Sequence, residues 1–293
     1  MTITTQAPNA PLMSSVRAEA LRLRKWPAVW VLVGIWLTAN LTFAYVFNYI
    51  AYTTGSGNFG TGDVPGQALL ADLMPDAIPR IFTGGMPMFG GAIMMILGAL
   101  AAGSGYGWGA WKTALTQGPG RLAAFGGLLA TLAGIVIAVV AATFALDLAA
   151  SALIATAESQ PMVWPPVSDV AQALGGALLI LGMWTAAGVL IGTLTRSPAL
   201  AVGLGLVWSL VIENLLRGVS GLLDWLEYVT DVLPGTAAGS MAGALGATTE
   251  AEGDGAPGVL TVLGGGQSAL LLTAYVVVFV VAAAGTMRRR DLA

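Results

Sequence analysis

Along this chain, apolar residues do not alternate with polar ones. They run on in blocks, and six blocks stand out, at 28–50, 81–103, 122–147, 170–194, 198–217 and 268–287. A helix needs about 20 mostly apolar residues to cross the ~30 Å hydrocarbon core of a bilayer. The pattern therefore predicts an all-α integral membrane protein, with six transmembrane helices forming one domain over 28–287. A segment 1–27 precedes that domain and a tail 288–293 follows it. Between the fourth and fifth blocks, Ser197 can cap a helix and Pro198 suits its first turn, where a missing N–H costs nothing. A new helix is expected to start there. The first apolar run is too long for a cleaved signal peptide and lacks a small-residue cleavage site, so it reads as a span.

Two stretches outside the blocks have a helical pattern. In "LMSSVRAEALRLRKWP", Leu12, Val16, Ala20 and Leu23 share one face, while Arg17, Arg22, Arg24 and Lys25 lie mostly on the others. This predicts an N-terminal amphipathic helix at the membrane interface, basic side toward headgroups or a partner. A basic flank that merely anchors the first span is the plainer reading. The loop 218–266 opens with "GLLDWLEYVTD", where Leu222, Leu226 and Val229 oppose Asp224, Glu227 and Asp231. A short outer helix between spans five and six is expected, followed by a flexible Gly/Ala-rich stretch, 234–258, that carries Glu250, Glu252 and Asp254.

Composition agrees with the blocks. Of 293 residues, 56% are hydrophobic and 9% charged, against roughly 25% charged in soluble domains. Placement of the charges then sets an orientation. Arg17, Arg22, Arg24, Lys25, Lys112, Arg121, Arg196, Arg288, Arg289 and Arg290 all fall on one side of a six-span arrangement; only Arg80 and Arg217 fall on the other. Basic loops mark the cytoplasmic side, so both termini are expected in the cytoplasm of a cell (plasma) membrane protein. High Ala and Gly content points to a GC-rich bacterial source.

The chain has no cysteine and no histidine. That removes disulfides, thiol nucleophiles, the commonest general base and the commonest metal ligand. Neither a metal site nor a catalytic residue is expected. Two acids fall in or near spans. Glu213 stands 15 residues past Pro198, or ~22 Å along a helix, with Arg217 at i+4 in the favoured order for an ion pair. Glu213, Arg217 and Asp147 form a candidate intramembrane polar site; a structural Glu213–Arg217 pair and a solvated Asp147 at the outer end of the third span are the expected arrangement. Gly188 and Gly192 form a GxxxG pair that permits close helix packing. Trp26 and Trp30 inside, and Tyr45, Tyr49 and Tyr52 outside, read as interfacial aromatic belts.

One cytoplasmic loop breaks the apolar run: "GYGWGAWKTALTQGPGR", 105–121. No GxxxxGK[ST] phosphate loop is present, because Trp111 precedes Lys112-Thr113. "GSGYG" at 103–107 follows a span and not a strand, so it is no dinucleotide loop. The stretch resembles the permease subunits of ABC exporters of the ABC-2 type (type V exporter-like fold), which carry an aromatic-Gly-x-x-x-x-Arg/Lys-x-x-Leu-x-x-Gly-x-x-Arg run here. Tyr106, Gly107, Lys112, Leu115, Gly118 and Arg121 stand in those places. The basic segment "RAEALRLRKWPAVW", the Arg-Ser opening and Glu-Asn near the end of "TLTRSPALAVGLGLVWSLVIENLL", and the basic-Asp ending "RRRDL" are similar to the family as well.

The resemblance implies a permease that pairs with a second copy of itself or a related permease and with two cytoplasmic ATP-binding ABC subunits. ATP and Mg would be held by those subunits and no cofactor by this chain. It implies that 105–121 is a coupling helix seated on the ATPase, with Tyr106, Trp108, Trp111, Lys112, Leu115, Gln117 and Arg121 as contact residues. It implies export of an amphipathic or hydrophobic substrate, such as a drug, lipid or peptide. Composition and spacing leave other classes open: an ion-gradient-driven transporter or channel, or a non-transporting immunity or scaffold protein. The lipid bilayer is a partner in every case, and nucleic acid in none.

Overall fold

The computed structural model describes residues 10–55, 66–107, 120–221, 224–249 and 255–289. Among these, regular structure is helical throughout. We number the helices α1 (Ala10–Lys25), α2 (Pro27–Thr54), α3 (Gly66–Asp72), α4 (Ile78–Gly84), α5 (Met86–Tyr106), α6 (Arg121–Ala157), α7 (Val167–Thr195), α8 (Pro198–Ser220), α9 (Asp224–Asp231), α10 (Pro234–Ala244) and α11 (Gly265–Arg289). Six of them, α2, α5, α6, α7, α8 and α11, are long and apolar enough to cross a membrane. That is the character of a multi-pass membrane protein.

Helices α5 and α7 form the centre, with 72% and 61% of their apolar windows buried, whereas α2, α8 and α11 bury 22%, 22% and 17%. Small residues make the central contact possible. A Cβ at Gly188 would collide with the Met95 carbonyl, and one at Gly192 would meet the Ala99 carbonyl at 2.8 Å. The GxxxG pair thus lets two backbones meet where larger side chains would hold them apart. The boundary between α7 and α8 follows the local chemistry. Arg196 adopts φ 54° and ends α7; the Ser197 hydroxyl then accepts the Leu200 N–H at 3.4 Å, with Pro198 in the first turn.

Three departures from the sequence expectation matter for function. The second span does not begin at 81: Ile78–Gly84 is a separate short helix, and the long helix starts at Met86 through a π-helical turn, Met86–Gly90. The third helix does not end at 147 but runs to Ala157. Residues 148–157 contain no Gly or Pro, and Asp147 finds a buried partner that lets the helix continue. Residues 234–244, expected to be flexible, form a buried helix, α10, packed against α7, α11 and the π turn of α5. Its small side chains let it fit there, and Leu260 N–H donates back to the Gly239 carbonyl at 3.2 Å. The three acids of that stretch, Glu250, Glu252 and Asp254, lie outside the described residues.

Helix α1 lies against α6, with the Thr131 hydroxyl reaching the Val16 carbonyl at 3.4 Å. Its inward residues are Ser15 and Leu23, with Val16, Glu19 and Arg22 partly buried. Leu12 and Ala20, expected on that face, are exposed. A stripe holding polar residues can turn inward because Arg22 is satisfied there. It pairs with Glu19 at 2.8 Å and donates to Ser104 Oγ at 3.2 Å and the Ala101 carbonyl at 3.0 Å.

Candidate functional site

Two further π turns interrupt α2 and α8, at Thr42–Val46 and Val207–Ile212. Each marks an i→i−5 backbone bond, Phe47 N–H to the Thr42 carbonyl and Glu213 N–H to the Trp208 carbonyl. Such turns rotate every later side chain on a helix and recur at functional sites. Here each adjoins a buried polar group.

Along the α2–α6 seam runs a polar ladder. Trp36 Nε1 donates to Thr143 Oγ1 at 2.9 Å, and Asn40 Nδ2 to Asp147 Oδ1 at 2.6 Å. Both rungs join positions 107 residues apart, one turn further along each helix, so the two helices run in the same direction. Further along, the Tyr49 and Tyr52 hydroxyls donate to the two oxygens of Glu158 at 2.8 and 3.1 Å. Asp147 is fully buried, not solvated at a helix end. Tyr45, expected in an outer belt, is buried too, since the π turn swings it into the seam. Trp30 does lie exposed, its Nε1 on the Arg24 carbonyl at 2.7 Å.

Beside this ladder, α2, α4, Phe89 of the α5 π turn and the segments 247–248 and 255–257 line a cavity of about 230 Å³. That is just under the ~300 Å³ lower end of drug-sized sites. Phe43 and Phe89 supply apolar wall, and Asn40 and Asn48 supply carboxamides. Arg80 and Asp72 stand at the same cavity, hydrogen-bonded to each other, so their charges cancel locally. The mixture of apolar wall and few polar groups suits an amphipathic molecule. Asn40 belongs to both features: it lines the cavity and holds Asp147.

The second polar station centres on Glu213, which is fully buried. Its expected ion pair with Arg217 is not what forms. Glu213 accepts Trp208 Nε1 at 2.8 Å and the Gly235 N–H at 2.8 Å, while Arg217 donates to Asn214 Oδ1 at 2.7 Å. Gly235 lies in the first turn of α10, where N–H groups have no helical acceptor and the helix dipole favours an anion. The carboxylate is held by that helix end and the indole rather than by a direct bond to the guanidinium, whose Nη1 is buried without a hydrogen-bond partner among the described residues.

At the opposite end of the bundle the basic residues gather. The Tyr106 hydroxyl donates to Met287 Sδ at 3.2 Å, the Arg196 guanidinium carbon lies 5.9 Å from the Tyr106 ring centre, and Arg121 reaches the Arg288 carbonyl at 3.5 Å. Of the expected interface residues, Arg17, Arg24 and Lys25 are exposed, and Arg22 is engaged with α5. Trp108, Trp111, Lys112, Leu115 and Gln117 lie outside the described residues. Both flanks of their loop, Tyr106 and Arg121, are thus tied to the end of α11.

The seam residues Trp36, Asn40, Thr143 and Ser151 are not among those expected from sequence, and Tyr45 is expected only as a belt residue. A usable signal exists: Thr143, Asp147 and Ser151 recur at i, i+4, i+8 within an apolar span, as do Trp36 and Asn40 at i, i+4. Compared with known proteins, the chain matches no family model and no curated sequence.

Proposed function

We propose that this chain is the membrane-spanning permease subunit of an ATP-driven exporter of the ABC-2 type, with both termini cytoplasmic and ATP hydrolysed by a separate subunit. The observation that carries the reading is where the two residues flanking 108–119 are held. Tyr106 and Arg121 flank it, and both contact the last turn of α11, with Arg196 beside them. A push on the loop would be felt by α5, α6, α7 and α11 together, as a coupling helix requires. The absence of a phosphate loop from the sequence fits a chain that receives force from another polypeptide.

In this reading the basic end faces the cytoplasm and α1 lies at that interface, with Arg17, Arg24 and Lys25 toward lipid phosphates. The cavity beside Asn40 and the Asp72–Arg80 pair faces outward, and its chemistry favours an amphipathic or hydrophobic cargo. The least buried helices, α2, α8 and α11, face lipid or a second permease copy. A gradient-driven carrier is the second reading, favoured by the buried Asp147.

The test is purification of the tagged full-length chain under mild detergent from its native host. Retention of a soluble subunit that carries a Walker motif and hydrolyses ATP supports the proposal. Purification of an intact chain with no ATP-binding subunit at any detergent tried counts against it.

A further inference from the structure

The α2–α6 ladder has one rung that does not close. Trp36–Thr143 and Asn40–Asp147 are hydrogen-bonded, and Tyr49 and Tyr52 close on Glu158. Between them, one further turn along each helix, stand Tyr45 and Ser151. Ser151 follows Asp147 by four residues and shares its face. Tyr45 follows Asn40 by five, and the π turn Thr42–Val46 absorbs the extra residue, so Tyr45 takes the seam position that Ala44 would hold in a regular helix.

Three oxygens at this rung lack a hydrogen-bond partner among the described residues: Tyr45 OH, Asp147 Oδ2 and Ser151 Oγ. All three belong to side chains at least nine-tenths buried, with Asp147 and Ser151 at 0% and Tyr45 at 2% exposure. They do not hydrogen-bond to one another either. Protonation of Asp147 would remove the charge but bring a single hydrogen to three unpartnered oxygens, whereas a small ion held among them would serve all three. A bridging water would satisfy the hydrogen bonds and leave the carboxylate's charge uncompensated. Among the described residues Asp147 forms no ion pair, and its hydrogen bond comes from the Asn40 amide. A buried charge persists only if paired or bound to an ion.

We propose that Asp147 Oδ2, Ser151 Oγ and Tyr45 OH form a binding site for a sodium-sized monovalent cation between α2 and α6. One carboxylate balances one positive charge. Hydroxyl and phenol oxygens are hard donors of the type alkali ions accept, and a single carboxylate is too few for a tight divalent site. The site goes beyond the exporter reading and does not depend on it. Through Asn40 it adjoins the cavity, so occupancy would fix the side chain that lines the cavity wall.

The experiment uses the purified full-length chain in detergent, without any ATPase, so failure of the exporter reading leaves it intact. Thermal unfolding is followed by tryptophan fluorescence in sodium chloride, potassium chloride and choline chloride at equal ionic strength. Ligand binding to the folded state raises the midpoint in a saturable way. Sodium is expected to raise it above choline, and Asp147→Asn to abolish the increment. Ser151→Ala, which keeps the charge and removes one neutral oxygen, is expected to raise the half-saturating sodium concentration by about tenfold or more. Equal midpoints in sodium and choline, or an increment that survives Asp147→Asn, would overturn the site in favour of water alone. Should Asp147→Asn not fold, Ser151→Ala decides: an unchanged half-saturating concentration overturns the proposal.

Discussion

Glu213 of α8 holds the backbone N–H of Gly235 at 2.8 Å, so a carboxylate on one long helix fastens the first turn of the buried helix α10. The contact leaves no room at position 235, where a Cβ would collide with the Glu213 carboxylate. Gly235→Ala should therefore destabilise the protein by about 1–3 kcal/mol, the range for overpacking. Gly218→Ala is the control. It lies in the same α8, where an added methyl group would meet nothing within 4 Å, and should be neutral or stabilise by up to ~1 kcal/mol. Thermal unfolding midpoints of the two variants decide.

The same geometry separates Glu213 from Arg217. Were the two an ion pair, removing either would cost a comparable amount. Glu213 instead serves Trp208 and Gly235. Glu213→Ala strands a helix-terminal N–H and an indole N–H and should cost about 2–4 kcal/mol, the loss of two charge-assisted bonds. Arg217→Ala loses one exposed bond to Asn214 and should cost under ~1 kcal/mol. Equal losses in denaturant titrations would restore the ion pair.

The ladder predicts graded losses along α2. Asn40→Ala leaves Asp147 Oδ1 buried without its donor and should cost about 1–3 kcal/mol. Trp36→Phe removes the N–H to Thr143 and also the outer edge of a buried ring that lies against Gly85 and Gly90, and should cost about 2–4 kcal/mol, a cavity added to one lost hydrogen bond. The order Trp36→Phe above Asn40→Ala is the checkable result, read by thermal unfolding in one buffer.

Orientation has its own test, simplified by a chain without native cysteine. With single cysteines introduced, Glu250→Cys should react with a membrane-impermeant maleimide on intact cells, and Lys112→Cys only after the cells are broken open. Labelling of both from outside would remove the six-span arrangement with cytoplasmic termini.

The long helices are legible in the sequence because their signal is cumulative: some twenty apolar residues outweigh any one exception. Ser197 and Pro198 are equally plain, since capping is local chemistry. Inference from single charges fares worse. Asp147 reads as the end of a helix, but a carboxylate in a span needs only a partner such as Asn40, which sits 107 residues away. Glu213 has a base one turn on, yet a helix N-terminus 22 residues away, together with Trp208, satisfies it better. The π turns leave no mark of composition either, and they decide which way Tyr45 and Glu213 face. Helix α10 escapes the pattern because Gly and Ala read as flexible when solvated and as tight packing when buried.

The most direct test of the central claim is ATP hydrolysis by the reconstituted complex in liposomes, comparing the native chain with Trp111→Ala, Lys112→Ala and Leu115→Ala combined. If the loop 108–119 couples the permease to an ATPase, the triple variant should fold, insert and retain its thermal midpoint. Its stimulation of the ATPase should fall by about 5- to 150-fold, the span of ordinary coupling energies. Undiminished stimulation together with undiminished co-purification would contradict the account.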